Sequence, residues 1–344
     1  MSAKSSSGYI IGPWADSIFL IGSPVVALVI ALLASANPLA MLRMFIVLSP
    51  AHLFLVLYRS HGNATVFHRF PYRFTVVPIA LFIALMSSST LFTLFFYVTL
   101  LWDVHHGYMQ TFGIGRIYDA KRGNDPNVGR SLDMALNALL YLGPLVSGVW
   151  LLRYVKELST FNLVDTIFFS QTMPAFVDTN QGHLVWWIIG FSVLFFAFYF
   201  YKQWQYAKQG YRMSPQKIAL LVCTAIVHVW GWYFNPFGMG FFILNLFHAI
   251  QYFAIVYWSE RKTLLARLRL AANPRGPGLV LVFKLLPAML FGIVSMSVPR
   301  DSPRVLGYAY TMLCLNTLIE TMHFWWDGFI WSVRKKQVQQ LVPG

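Results

Sequence analysis

HLVWWIIGFSVLFFAFYFYKQ, residues 183–203, decides the fold class, because the eighteen residues between His183 and Lys202 carry no charged side chain. A helix of about 20 apolar residues rises about 30 Å, which is the thickness of the hydrocarbon core of a bilayer. Hydrocarbon offers no hydrogen-bond partners, so such a run must satisfy its own backbone and reads as a transmembrane helix. Applied outward from this run, the same criterion predicts helices near 17–36, 39–58, 74–88, 90–113, 131–152, 183–203, 215–234, 238–258, 279–298 and 304–332. The break Ser87-Ser88-Ser89 leaves 74–113 as a tight hairpin or one kinked helix. The expected fold is all-α: one polytopic helical membrane bundle over 1–344, with about ten transmembrane helices.

Composition agrees. The chain is 57% hydrophobic and 11% charged, where a soluble domain carries roughly 25% charged residues. Its 26 Lys and Arg against 12 Asp and Glu leave a net charge of +14. In a soluble protein that excess would point to nucleic acid. In a membrane protein it reports topology, because Lys and Arg collect in cytoplasmic loops. With ten spans, twenty basic residues fall on the side of Lys4, Arg59, Arg116, Lys208, Arg261 and Arg334. Four (Arg153, Lys156, Arg300 and Arg304) fall on the other, and Arg43 and Lys284 lie within spans. The bias predicts an N-in, C-in protein of the bacterial inner membrane with no nucleic-acid partner.

Residues Met1 to Gly12 lack the basic start and short apolar core of a secretory signal, so the first apolar run is expected to be a retained span. The outer-side connection 153–182 mixes Phe168, Phe169 and Phe176 with polar residues and is expected to lie on the membrane as an amphipathic segment. Cys223 and Cys314 both sit in apolar runs, which supports neither a disulfide framework nor a Cys-based zinc site.

Ionisable groups inside spans cost about 2.5–3.5 kcal/mol each at the bilayer centre on insertion scales, and this makes them functional candidates. Here they are His52, Asp103, His105, His106, His228, His248, Glu320, His323 and Asp327. Counted from the expected cytoplasmic helix ends at 1.5 Å per residue, His52, His106, His248 and His323 lie roughly 9–15 Å deep, in one slab. Asp103, His106 and Gln110 follow one another at +3 and +4, as do Glu320, His323 and Asp327, so each set shares a helix face. A carboxylate three residues before a histidine is the ligand pair of di-iron and di-manganese helix bundles. Anionic oxygen neutralises the metal, neutral imidazole holds it, and open positions admit water or dioxygen.

The expected metal ligands are therefore His52, Asp103, His106, His248, Glu320 and His323, with Gln110, Gln251 and Asp327 orienting them. His105 and His228 are possible additional ligands, and no single catalytic residue can be named. A weaker echo pairs the two helix exits: Gln110 precedes Asp119 and Lys121 by nine and eleven residues, and Gln251 precedes Glu260 and Lys262 by the same offsets.

The segments His248-Ala-Ile-Gln251-Tyr252 and His323-Phe-Trp-Trp-Asp327-Gly-Phe-Ile-Trp331 resemble those of uncharacterised bacterial polytopic membrane proteins with H-x-x-Q-Y and H-[FY]-x-x-D-G-x-I-W motifs. More distantly, histidines spread over several membrane helices are similar in architecture to the Brp/Blh-type carotene-cleaving membrane oxygenases. The H-x(3,4)-H and H-x-x-H-H motifs of membrane desaturases are not present. The expected function is an integral-membrane, metal-dependent oxidoreductase or oxygenase. It would use mono- or dinuclear non-haem iron on a lipid or isoprenoid substrate, and receive electrons from a protein on the cytoplasmic side. The same residues also suit a proton-coupled transporter, or a haem-binding protein with two axial histidines.

Overall fold

The computed structural model describes residues 8–147, 173–235, 237–296 and 303–331, and every regular element among them is helical. In chain order these are α1 (Pro13–Ala15), which runs into a π-helical turn (Asp16–Ile21), α2 (Ser23–Ser35), α3 (Pro38–Phe54), α4 (Val56–Ser60), α5 (Ala64–Arg69), α6 (Pro71–Phe74) and α7 (Val76–Ser87). They continue as α8 (Ser89–Lys121), α9 (Arg130–Ser147), α10 (Met173–Lys208), α11 (Pro215–Phe234), α12 (Phe237–Arg267), α13 (Gly276–Met296) and α14 (Pro303–Ile330).

Among the described residues four helices are long and apolar enough to cross a membrane: Gly182–Lys208, Pro215–Phe234, Met239–Arg267 and Gly276–Val294. A fifth is reached if Pro13–Ile21 and Ser23–Ser35, bent by 58° to one another, form one broken span. These helices mark an integral membrane protein. Of the outer segment expected to be amphipathic, 153–172 lie outside the described residues, while 173–182 open α10.

Local chemistry explains where helices stop. The first apolar run breaks at Gly22-Ser23-Pro24, where a Cβ on Gly22 would overlap the Ser17 carbonyl oxygen and Pro24 offers no N–H to continue the ladder. Between α7 and α8, Ser88 is extended, with φ −148° and ψ 115°, so 74–113 forms two helices. Leu91 N donates to Ser88 Oγ at 3.2 Å and caps the second of them. Helices α8 and α12 run eight or nine residues beyond the ends read from hydropathy (113 and 258), where Arg116, Asp119 and Glu260 are ion-paired inside the protein.

The chain separates into two compact units, Met1–Ala31 with Val104–His248, and Leu32–Asp103 with Ala249–Pro343. In the first, α9 packs against α10 and α11, and the π-helical turn packs against α11. A buried ionic cluster ties the helices together. Asp133 Oδ2 accepts from Arg116 Nη1 and from Lys217 Nζ, both at 2.6 Å. Asp119 Oδ2 accepts from Lys217 Nζ at 2.7 Å and Tyr211 OH at 2.5 Å, and Tyr199 OH donates to Asp133 Oδ1 at 2.9 Å. Burial, and then its bond to Asp119, raise the Tyr211 hydroxyl above its ordinary value, which keeps it a donor. Arg116 Nη2 also donates to the carbonyls of Pro126 and Val128 at 2.9 Å, pinning the α8–α9 connection. Helix α10 stays peripheral, with Trp187, Leu194 and Phe200 turned outward.

In the second unit α3 packs along α13, and α14 contacts α3, α4, α7 and α13. The core cluster is Ala51, Leu55, Tyr252, Val256 and Ala288. Here too the charges are paired: Arg59 bridges to Glu260, which also accepts from Asn63 Nδ2 at 3.2 Å. Lys284 Nζ donates to the Val256 carbonyl at 2.6 Å. Close approach of α3 and α13 requires glycine at 292, where a Cβ would overlap the Val47 carbonyl oxygen, whereas a Cβ at Gly278 on the same helix meets nothing within 4 Å. Overpacking of this kind typically costs about 1–3 kcal/mol. Gly292→Ala is therefore expected to lower the thermal unfolding midpoint of the purified protein by several degrees, with Gly278→Ala unchanged or slightly raised; equal midpoints for the two variants would refute the close-packed α3–α13 seam.

Candidate metal centre

The boundary between the units falls inside α8, after Asp103, and inside α12, after His248. It therefore sorts the sequence-predicted residues into two sets. His52, Asp103, Gln251, Glu320, His323 and Asp327 belong to the second unit; His105, His106, Gln110, His228 and His248 belong to the first.

In the second unit His52 sits near the end of α3, two residues after Pro50. His323 comes from the middle of α14. Both are buried, with relative exposures of 2% and 0%. Their rings meet edge to face with centroids 5.3 Å apart, and each offers a ring nitrogen within 4.8 Å of one on the other. Asp327 follows His323 by one turn, and its Oδ2 lies 3.8 Å from His323 Nε2.

That separation is too long for a hydrogen bond. It fits two groups that bind one ion through bonds of about 2.0–2.2 Å each. The other oxygen of Asp327 is held firmly: Tyr252 OH donates to Oδ1 at 3.1 Å and Trp331 Nε1 at 3.0 Å. Tyr252 also packs its ring against His323, at 4.6 Å between centroids. Arg59 lies over the Trp331 ring at 4.9 Å, which links the carboxylate's support to the Arg59–Glu260 pair. Asp103 and Glu320 are half-buried and close enough to interact electrostatically. Gln251 is fully buried on α12.

In the first unit His106 and His248 pair in the same edge-to-face manner, with centroids 4.9 Å apart. Gln110 Nε2 donates to the His248 carbonyl at 3.1 Å, so it fixes the backbone that carries that imidazole. His105 is exposed and meets Tyr108 edge to face, with centroids 4.9 Å apart. His228 packs on Tyr141, with centroids 3.9 Å apart, and beside Phe247 at 5.8 Å.

The donors Tyr252 and Trp331 are the residues that sequence reasoning passed over. They close the H-x-x-Q-Y and H-[FY]-x-x-D-G-x-I-W segments, but Trp at a membrane helix end reads first as an interfacial anchor, and a Tyr inside an apolar run reads first as core. Their signal was a spacing: Trp331 follows Asp327 by four and so shares its helix face. No protein-family model matches the chain, and no curated protein and no solved structure matches it.

A hydrogen bond to a buried carboxylate contributes about 1–3 kcal/mol. Tyr252→Phe and Trp331→Phe are each expected to lower unfolding stability by about that amount. The double variant should lose more than the sum, because only then does Oδ1 have neither donor. Single losses under about 0.5 kcal/mol, or a double-variant loss that equals their sum within about 0.5 kcal/mol, the tolerance for independent sites, would show that these bonds do not hold Asp327 jointly.

Proposed function

We propose that this chain is an integral-membrane, metal-dependent oxidoreductase of the oxygenase type, acting with non-haem iron on a lipid or isoprenoid that enters from the bilayer. The observation that carries the reading is the arrangement around His323. A buried imidazole partner, His52, stands on one side, and on the other stands a carboxylate with one oxygen anchored and the other turned toward the ring. Two imidazoles and a carboxylate with open positions form the donor set of mononuclear non-haem iron oxygenases. In this reading His52, His323 and Asp327 hold the ion, and Asp103 and Glu320 supply further anionic oxygen in the same unit. His106 and His248 form a second imidazole pair in the other unit. Bound iron would supply the binding and activation of dioxygen. The protein's share is to keep the donors oriented and dry: the rings of Tyr252 and His323 pack against His52, and Tyr252 and Trp331 orient Asp327.

The edge-to-face contact within each histidine pair favours a bare ion over haem, since a porphyrin ligated by both members needs its plane between them. The basic bias of the loops supports ten spans with both termini in the cytoplasm of a bacterial cell. It also supports an acidic electron-donor protein docking on that face.

Elemental analysis of detergent-purified protein tests the chemistry. Stoichiometric iron is expected in the wild type, with more than about tenfold loss of affinity in folded His323→Ala and Asp327→Asn variants, while the exposed His68→Ala retains its iron. No metal in freshly purified wild type, or a haem absorption band, would overturn the proposal. Orientation is tested separately in intact cells. A cysteine at exposed Gln209 should resist impermeant thiol reagents and one at exposed Thr179 should react; the reverse pattern would refute the N-in, C-in arrangement.

A further inference from the structure

Buried polar atoms are almost always hydrogen-bonded, and those that protein atoms leave over are usually met by ordered water. In the first unit such atoms follow a line. On α9, Asn137 Nδ2 donates to the Asp133 carbonyl at 2.8 Å, but Asn137 Oδ1 has no partner among the described residues. On α11, Thr224 Oγ1 and both ring nitrogens of His228 likewise have none. Asn137, Thr224 and His228 are at most 2% exposed, so bulk solvent does not reach them directly.

Two contacts fix their relative levels. Asp133 meets Lys217 at 2.6 Å, and Tyr141 meets His228 at 3.9 Å between centroids. Position advances along α9 as it advances along α11, so the two helices run parallel. Asn137 lies midway between Asp133 and Tyr141, and Thr224 lies between Lys217 and His228. Both fall between the same two contacts on two packed helices, Asn137 about 6 Å and Thr224 about 10 Å along a stretch of roughly 12–17 Å at 1.5 Å per residue. One end of this stretch is the ionic cluster, in which Asp119 Oδ1 and Arg116 Nε are also without partners among the described residues. The other end is the His228 ring, flanked by Tyr141, whose hydroxyl is already bonded to Thr111 Oγ1 at 2.6 Å. Charged groups at the first end are balanced, two cations against two carboxylates, so the line begins in a polar but neutral environment.

We propose that Asn137, Thr224 and His228 line a column of ordered water inside the first unit, which opens the His228 imidazole to proton exchange from the Lys217–Asp133 end. Donor and acceptor types match such a chain. Asn137 Oδ1 accepts, the Thr224 hydroxyl both donates and accepts, and a neutral imidazole donates at one nitrogen and accepts at the other. The relay balances: as one ring nitrogen of His228 takes a proton from water, the other releases one, and the ring ends neutral with its tautomer exchanged. This column shares no residue with the ligands proposed above for the second unit, and it stands or falls independently of them.

The test is proton exchange at one ring. Full-length protein carrying ¹⁵N-histidine in lipid bilayers gives ring N–H signals by solid-state nuclear magnetic resonance, and the His228 signal is assigned by its loss in His228→Phe. Its exchange with water is expected to be within tenfold of that at exposed His68. Thr224→Val should slow it at least tenfold, and Thr224→Ser, which keeps the hydroxyl, should restore it. A wild-type His228 proton that exchanges more than tenfold slower than His68 overturns the column. So does a folded Thr224→Val protein that exchanges like wild type. Should Thr224→Val fail to fold, the wild-type rate alone decides.

Discussion

Arg116, Lys217, Asp119 and Asp133 stand together in the first unit because none of them could be buried alone. Moving one isolated ion into a low-dielectric interior costs several kcal/mol even after relaxation, and only close opposite charge with hydrogen bonds to the remaining atoms offsets it. The four side chains come from α8, α9 and α11, and Tyr199 of α10 adds a donor, so satisfying the charges fixes four helices relative to one another. The second unit solves the same problem more sparingly, with Arg59, Glu260 and Asn63 joining α4, the start of α5 and α12. Elsewhere in the helices contact is apolar and close. It is closest where glycine removes the side chain, as at Gly292 against Val47, and at Gly240, where a Cβ would come within 2.7 Å of the Gly231 carbonyl oxygen.

This pairing explains which parts of the fold were legible in the sequence. Long uncharged runs such as 184–201 announce helices without reference to any neighbour, and α11 and α13 follow the apolar pattern closely, while α10 begins ten residues before it and ends five after it. The far ends of α8 and α12 lie beyond the apolar runs, and Asp119 and Glu260 look in sequence like exits into water. Both are 1% exposed and ion-paired within their own units. The echo that places Gln110 before Asp119 and Gln251 before Glu260 therefore marks two buried carboxylates, and it lapses at Lys121 and Lys262, which are not buried. Hydropathy cannot see this, since it scores a charge without its partner. The break of the first apolar run was equally hidden, because the Asp16 carboxylate that accepts from the backbone of Ile10, Ile11 and Gly12 and from Tyr118 OH does so through contacts up to 102 residues apart.

The candidate site shows the same division between what spacing tells and what it leaves open. Helical periodicity correctly states that Glu320, His323 and Asp327 share a face, but a face is not a partner. Asp103 and Glu320 interact with one another, while the carboxylate placed beside His323 Nε2 is Asp327, which sequence reasoning had assigned a supporting part. Common depth in the membrane drew attention to His52 and His323, and they do meet at 5.3 Å. The aromatic donors are not legible in the sequence because their polar atoms are a small part of large apolar side chains, and only the fold decides whether such an atom faces lipid headgroups or a carboxylate.

The support around Asp327 also connects the site to the packing that precedes it. Tyr252, which holds Oδ1, belongs to the apolar cluster of Ala51, Leu55, Val256 and Ala288. Trp331, the second donor, is packed against that same cluster and carries Arg59 on its face. His52 precedes Leu55 by three residues on the edge of it. The two donors, the carboxylate and one imidazole are thus positioned by a single packed layer from α3, α12, α13 and α14. Close-packed interiors transmit displacement rather than absorb it, so a shift of any one of these helices would move the acceptor oxygen, its donors or the His52 ring. A site that must hold an ion needs its ligands fixed within a few tenths of an ångström by residues whose own rotamers are locked. Among the described residues, the second unit supplies that support by hydrophobic packing.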